Sequence, residues 1–272
     1  MRMTAAIRAE FQKVVTTRLW WILLIVLVIY IAFTSAILSA AFGGSIPGST
    51  PGAPGLVSDA LPPIIYSLAH SIGYVFPLML GTLAVTGEFR HQTLTPTFLA
   101  NPRRGVVLAA KAITAAVFGA LYGVGALIAS VAPGAGILSL SGLDTALDDP
   151  DSWLMFARTV LAMALWAVIG VGVGTLIPSQ VAAIVVVLAF TQFLEPILRT
   201  ITIFVDWAAE VGKFLPGAAG DAIVGASFFS ILGAGGASPD VLEWWQGALV
   251  LFAIAVLAGV IGYVVAWRKD VT

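Results

Sequence analysis

The residues of this chain that could do chemistry are few, and most stand alone. There are two histidines, His70 and His91, and no cysteine. Without thiols the chain has no disulfide, thiolate metal site or cysteine nucleophile, and two histidines cannot by themselves build a histidine-rich metal site. One acidic cluster is present, Asp144, Asp148, Asp149 and Asp151. A membrane-embedded hydrolase or transferase needs carboxylates together with a histidine or a nucleophile at one face. No histidine accompanies these four, and a solvated loop accounts for them. Gly170, Gly172 and Gly174 imitate a nucleotide-binding glycine pattern, but they follow no strand and sit inside an apolar run. No G-x-x-x-x-G-K-[ST] occurs, so the chain cannot cradle ATP through a P-loop of its own.

What remains is a set of ionisable residues inside otherwise apolar runs: His70, Lys111, Arg158 and Glu195. Such a group costs about 2.5–3.5 kcal/mol at the centre of a membrane helix, so each asks for a reason. Lys111 stands near the start of its run and can snorkel to the interface. His70 reads as a hydrogen-bonded packing residue rather than a proton relay. Arg158 and Glu195 lie at similar depth near one rim. They can form an intramembrane ion pair with each other, or Glu195 can pair with Arg199 four residues on. Beside Glu195, the residues Phe190, Gln192 and Phe193 offer apolar and hydrogen-bonding contacts suited to an amphiphile.

The elements that position these residues follow from composition. Of the 272 residues 60% are hydrophobic and 10% charged, with a mean hydropathy of +1.03. Soluble domains average about 45–50% apolar and about 25% charged. The bilayer is the solvent that fits. A crossing takes about 20 apolar residues, and six runs qualify, near 20–42, 64–86, 106–129, 153–177, 181–198 and 247–267. The first has an apolar core too long for a cleaved signal sequence, whose core is about 7–15 residues, so it is expected to be retained as a span. Gly119-x-x-x-Gly123 and Gly170-x-x-x-Gly174 read as small-residue faces for close helix packing. The segment 199–243 is too long for a turn, and its apolar stretch 223–236 is too short for a crossing. The expected fold is an all-α membrane protein of six transmembrane helices. An amphipathic interfacial helix over 1–19 precedes them, and a re-entrant or interfacial helical element precedes the last.

Orientation comes from lysine and arginine. Placing both termini in the cytoplasm puts Arg2, Arg8, Lys13, Arg18, Arg90, Arg103, Arg104, Lys111, Arg268 and Lys269 inside, ten of the thirteen cations. Arg158, Arg199 and Lys213 then lie outside, as the positive-inside rule requires. Ahead of the first span, Ile7, Phe11, Val14 and Val15 line one helix face, with Arg8, Glu10, Gln12, Lys13, Thr16 and Thr17 on the other. The loop 87–104, GEFRHQTLTPTFLANPRR, has one or two helical turns over Glu88 to Leu94 before Pro96 and Pro102 redirect the chain. Phe89 among Glu88, Arg90, His91 and Gln92 is an apolar anchor with a polar rim, the composition of a docking surface.

The sequences AEFQKVVTTRLWW and GEFRHQTLTPTFLANPRR with Lys111 after it, and the Leu215-Pro216-Gly217 triplet before the last span, together resemble the type-2 ATP-binding-cassette permease family. The resemblance covers nearly the whole chain. It implies a coupling helix formed by Glu88, Phe89, Arg90, His91, Gln92, Thr93 and Leu94, inserted into a cleft of a cytoplasmic ATPase subunit. It implies two permeases, in one homodimer or with a homologous partner, served by two ATPases that carry ATP and magnesium, so that this chain is not itself an enzyme and holds no cofactor. The substrate path would run between protomers past Phe190, Gln192, Phe193 and Glu195, and helices of the outer leaflet would correspond to 199–243. The implied activity is export of an amphiphilic substrate (drug, antibiotic, peptide or lipid-like) across the plasma membrane. A secondary transporter or a lipid-modifying membrane enzyme is the alternative.

Overall fold

The computed structural model describes residues 3–43, 60–227 and 242–267. Among these all regular structure is helical. In order come α1 (Met3–Thr16), α2 (Leu19–Phe42), α3 (Leu61–Ser71), α4 (Val75–Arg90), a short α5 (Leu94–Ala100), α6 (Arg104–Leu140) and α7 (Pro150–Leu176). Then α8 (Gln180–Ala189) runs through a π-helical turn (Phe190–Leu194) into α9 (Glu195–Phe204). Two short helices, α10 (Asp206–Gly212) and α11 (Pro216–Val224), lead to α12 (Trp244–Gly262) and a closing π turn (Tyr263–Trp267). Arg2, Arg268, Lys269 and the 228–241 part of the long segment before the last span lie outside the described residues.

Among the described residues six helical stretches are long and apolar enough to cross a membrane: Leu19–Phe42, Leu61–Arg90, Arg104–Leu140, Pro150–Leu176, Gln180–Thr202 and Trp244–Val265. Each coincides with one of the six expected runs. The chain is a multi-pass membrane protein. The third span is longer than its hydropathy indicated because α6 continues past Pro133. Just before it the Ser35 hydroxyl of α2 donates to the Ser130 carbonyl at 2.6 Å, so a backbone acceptor in this turn is met from outside the helix.

Close packing is built from glycines. A Cβ on Gly170 would lie 2.1 Å from the Leu78 carbonyl oxygen, and one on Gly174 would lie 2.7 Å from that of Thr82, so α7 presses directly on α4. Gly119 and Gly123 bring α6 equally close to Met163 and Val160 of α7. Both small-residue faces read in the sequence are therefore helix contacts, and Gly172 between them meets Ala258 of α12. The spans divide by burial. Those of α3–α4 and α7 are 78% and 61% buried, whereas those of α2, α8–α9 and α12 are only about a fifth buried, at 22%, 22% and 17%. The inner pair and the inward face of α6 carry the core, around Tyr66, Tyr122, Met163 and Trp166, and the other faces are apolar and open to lipid or a partner.

Candidate functional site

Two buried polar clusters stand in opposite halves of the bundle. The first lies at the end where α1 rides on α6. Glu10 and Glu88 are both buried there. Lys13 Nζ lies 2.7 Å from Glu10 Oε1 and 2.6 Å from Glu88 Oε1. Lys111 Nζ lies 2.6 Å from Glu10 Oε2 and 2.9 Å from Glu88 Oε1. Four alternating charges thus tie α1, α4 and α6 together. Burial lowers the Lys13 pKa, but the two carboxylates outweigh it and hold the ammonium above its ordinary value. Two expectations change here. Lys111 does not snorkel but is buried against carboxylates, and α1 turns Glu10 inward, leaving Phe11 and Val15 exposed. The reason is the same in both cases: opposite charge within 3 Å offsets a desolvation that water would otherwise relieve.

The expected coupling residues surround this cluster. Helix α4 persists to Arg90, and Gln92 in the left-handed region (φ 54°) ends it. The next helix starts at Leu94 and runs to Ala100, so the short helix of the loop lies beyond the expected turns over Glu88 to Leu94. Pro96 does not break it, because in the first turn its missing N–H has no partner to lose. Of the seven expected residues, Glu88 and Leu94 are buried, and Phe89 packs toward a nest containing Leu94, Phe98 and Trp267. Arg90, His91, Gln92 and Thr93 are exposed, with Arg90 NH1 donating to Gln180 Oε1 at 3.1 Å. The apolar residue the tip presents is Leu99, 81% exposed.

The second cluster lies where α11 packs among α3, α7 and α12. Along α8–α9, Ala183, Val187, Thr191 and Glu195 are all buried. They recur every four residues, a spacing that drifts about 40° per step on a regular α-helix. The wide π turn over Phe190–Leu194 takes up part of that drift, and Pro196 follows it directly. The turn therefore aims Glu195 and Arg199 inward. Arg199 NH1 lies 2.8 Å from Asp221 Oδ2, and Arg199 Nε lies 3.5 Å from Glu195 Oε1. Of the two pairings open to Glu195, the structure forms the one with Arg199. Arg158 lies instead over the Trp244 ring, 5.1 Å from its centre, because α7 faces α12 at that level.

Asp221 is saturated. Its Oδ1 accepts from Ser71 Oγ at 3.2 Å and lies 3.0 Å from His70 Nδ1, and its Oδ2 accepts from Ser227 Oγ at 2.5 Å besides Arg199. An indole N–H can only donate, so the 3.2 Å contact from Trp166 Nε1 makes His70 Nε2 an acceptor. The imidazole proton is therefore on Nδ1 and points at Asp221. His70 is hydrogen-bonded on both nitrogens, in keeping with a packing role. Glu195 is different. Its Oε1 accepts from the Gly217 backbone N–H and faces Arg199, while its buried Oε2 accepts no hydrogen bond. Two glycines permit the approach: a Cβ on Gly217 would sit 2.3 Å from Glu195 Oε1, and one on Gly220 would sit 2.5 Å from His70 Cε1. A cavity of about 160 Å³ adjoins, lined by Tyr30, Ser71, Tyr74, Gln192, Glu195 and Arg199 among others. Of the expected path residues, Glu195 and Gln192 line it and Thr191 joins them, while Phe193 points outward, 68% exposed. Sequence reasoning did not single out Asp221. The signal was present, since it is a lone carboxylate in the apolar run GAAGDAIV.

No protein-family model matches the sequence, and no curated protein matches it either.

Proposed function

We propose that this chain is the membrane subunit of an ATP-driven exporter, working as one of two permease copies or homologues with separate cytoplasmic ATPases. The observation that carries the reading is the hairpin between α4 and α6. Its base is fixed to three helices through Glu10, Lys13, Glu88 and Lys111, and its tip exposes Arg90, His91, Thr95, Pro96 and Leu99. Such a lever passes a push on its tip into the cores of α4 and α6, which a loosely tethered loop would dissipate. The grip on the ATPase falls on the exposed α5 tip, with Glu88 as the anchor beneath it rather than a contact.

In this reading the hairpin end is cytoplasmic in the plasma membrane, as its lysines and arginines favour. Helix α1 is the interfacial elbow, its exposed Phe11 and Val15 seated among inner headgroups. Helices α10 and α11 form the re-entrant element on the other side, and the open apolar faces of α2 and α8–α9 meet the second permease or lipid. Leu99→Arg tests the grip. The variant is expected to fold and reach the membrane but to lose co-purification with the ATPase; retention of the ATPase at wild-type yield would contradict the reading. A carboxylate cluster inside the spans is also a feature of secondary transporters. Transport driven by an ion gradient with no ATPase present would establish that alternative.

A further inference from the structure

We infer that the cavity beside Glu195 binds a protonated primary amine, the polar head of an amphiphile whose tail lies against the outside of the bundle. Three observations lead there. The first is an unmet acceptor. Glu195 is 1% exposed, and its Oε2 accepts nothing, although burying a bare carboxylate oxygen is costly unless a donor arrives. The Tyr74 hydroxyl stands within hydrogen-bonding reach of the same carboxylate, but its single proton is directed to the Thr191 carbonyl at 3.3 Å, so Oε2 is left without it. The second is charge. Glu195 and Asp221 supply two carboxylates, Arg199 supplies one guanidinium, and His70 is committed as the Nδ1–H tautomer by the Trp166 indole. Among the described residues the site lacks one positive charge. Asp221 has no vacancy, so the deficit falls on Glu195.

The third is size and access. A cavity of about 150 Å³ accommodates one benzene molecule, so about 160 Å³ suits a headgroup and not a whole amphiphile. Its lining includes Tyr30 of α2, 45% exposed, and the exposed Gln192 of the π turn, so the mouth opens on the bundle surface. Phe33, one turn from Tyr30 on α2, and Ile197, next to the lining residue Pro196, are exposed apolar side chains available to a tail. The Tyr30 ring at the mouth can face a passing cation. An ammonium fits where a metal ion does not: among the described residues no group of three His, Asp or Glu is placed to hold one. An anion would meet Glu195 and be repelled. That the bound amine is the exported substrate rests on the export reading above; that the cavity binds it does not.

Calorimetric titration of n-hexylamine into the full purified chain in detergent tests this, with 1-hexanol and hexyl sulfate as comparison probes. Saturable binding is expected for the amine alone. Glu195→Gln keeps the shape and the acceptor for Gly217, and is expected to weaken the amine about tenfold or more, the loss of one charge-assisted hydrogen bond. Tyr30→Ala, at an exposed position that does not endanger folding, is expected to weaken it about threefold. The proposal is overturned by no saturable amine binding to the wild type, by hexanol binding as tightly, or by amine affinity unchanged in both variants. No ATPase is present in the titration, so a blank result removes the pocket and leaves the exporter reading standing. Amine binding by a chain that co-purifies no ATPase would do the reverse.

Discussion

The two buried clusters differ in what they leave over. At the hairpin end two lysines meet two glutamates, and Glu88 Oε1 alone takes two ammonium groups at 2.6 and 2.9 Å. Although Glu88 Oε2 also lacks a hydrogen bond of its own, the charges there balance. In the other half two carboxylates share one guanidinium and a cavity lies beside the less satisfied of them. A balanced cluster fastens helices; an unbalanced one beside a void waits for a ligand. One chain of unusually low charge thus spends its few buried ions in two ways.

The contrast is sharpest in what removal should do. Lys111→Met leaves Glu10 and Glu88 with Lys13 alone in a buried setting, and is expected to cost about 3–5 kcal/mol of stability, read from denaturant unfolding in detergent. Gly217→Ala forces a methyl group onto the Glu195 carboxylate. It is expected to cost about 1–3 kcal/mol and to abolish hexylamine binding in the same preparation. Glu195→Gln removes an excess charge, and its stability change is expected within about 1 kcal/mol; if it destabilised as much as Lys111→Met, the two clusters would be alike after all. Lys13→Ala is expected to cost under about 1 kcal/mol, because the ammonium is 40% exposed and screened. The Lys13 pKa is raised on folding, so its contribution is complete below 10.5, the ordinary lysine value, and fades only as pH climbs through the higher folded value. Unfolding curves of wild type and Lys13→Ala should therefore converge at high pH and not at low.

Hydropathy alone located all six spans, because a run such as 20–42 has nowhere to go but lipid. The glycine faces were legible too, since Gly119, Gly123, Gly170 and Gly174 repeat at the spacing of one helix face. What the sequence concealed lies in tertiary contacts. Glu88 and Glu10 read as surface charges because the pairings that bury them, Glu88 with Lys13 and Glu10 with Lys111, span 75 and 101 residues of sequence. The site around Glu195 was half visible: Arg199 follows at i+4, but Asp221 reaches it only because α11 packs into the bundle on Gly217 and Gly220. The π turn that aims Glu195 inward leaves no mark in composition beyond Pro196.

The sidedness and engagement of the α4–α6 hairpin carry the account, and the chain's lack of cysteine gives a clean way to measure them. Thr95→Cys places a single thiol on exposed α5, to be reacted with a membrane-impermeant maleimide in intact cells, in opened cells, and in membranes with the ATPase bound. The account predicts labelling only once the cells are opened, and shielding of the thiol when the ATPase is present. Labelling of Thr95→Cys on intact cells would contradict it.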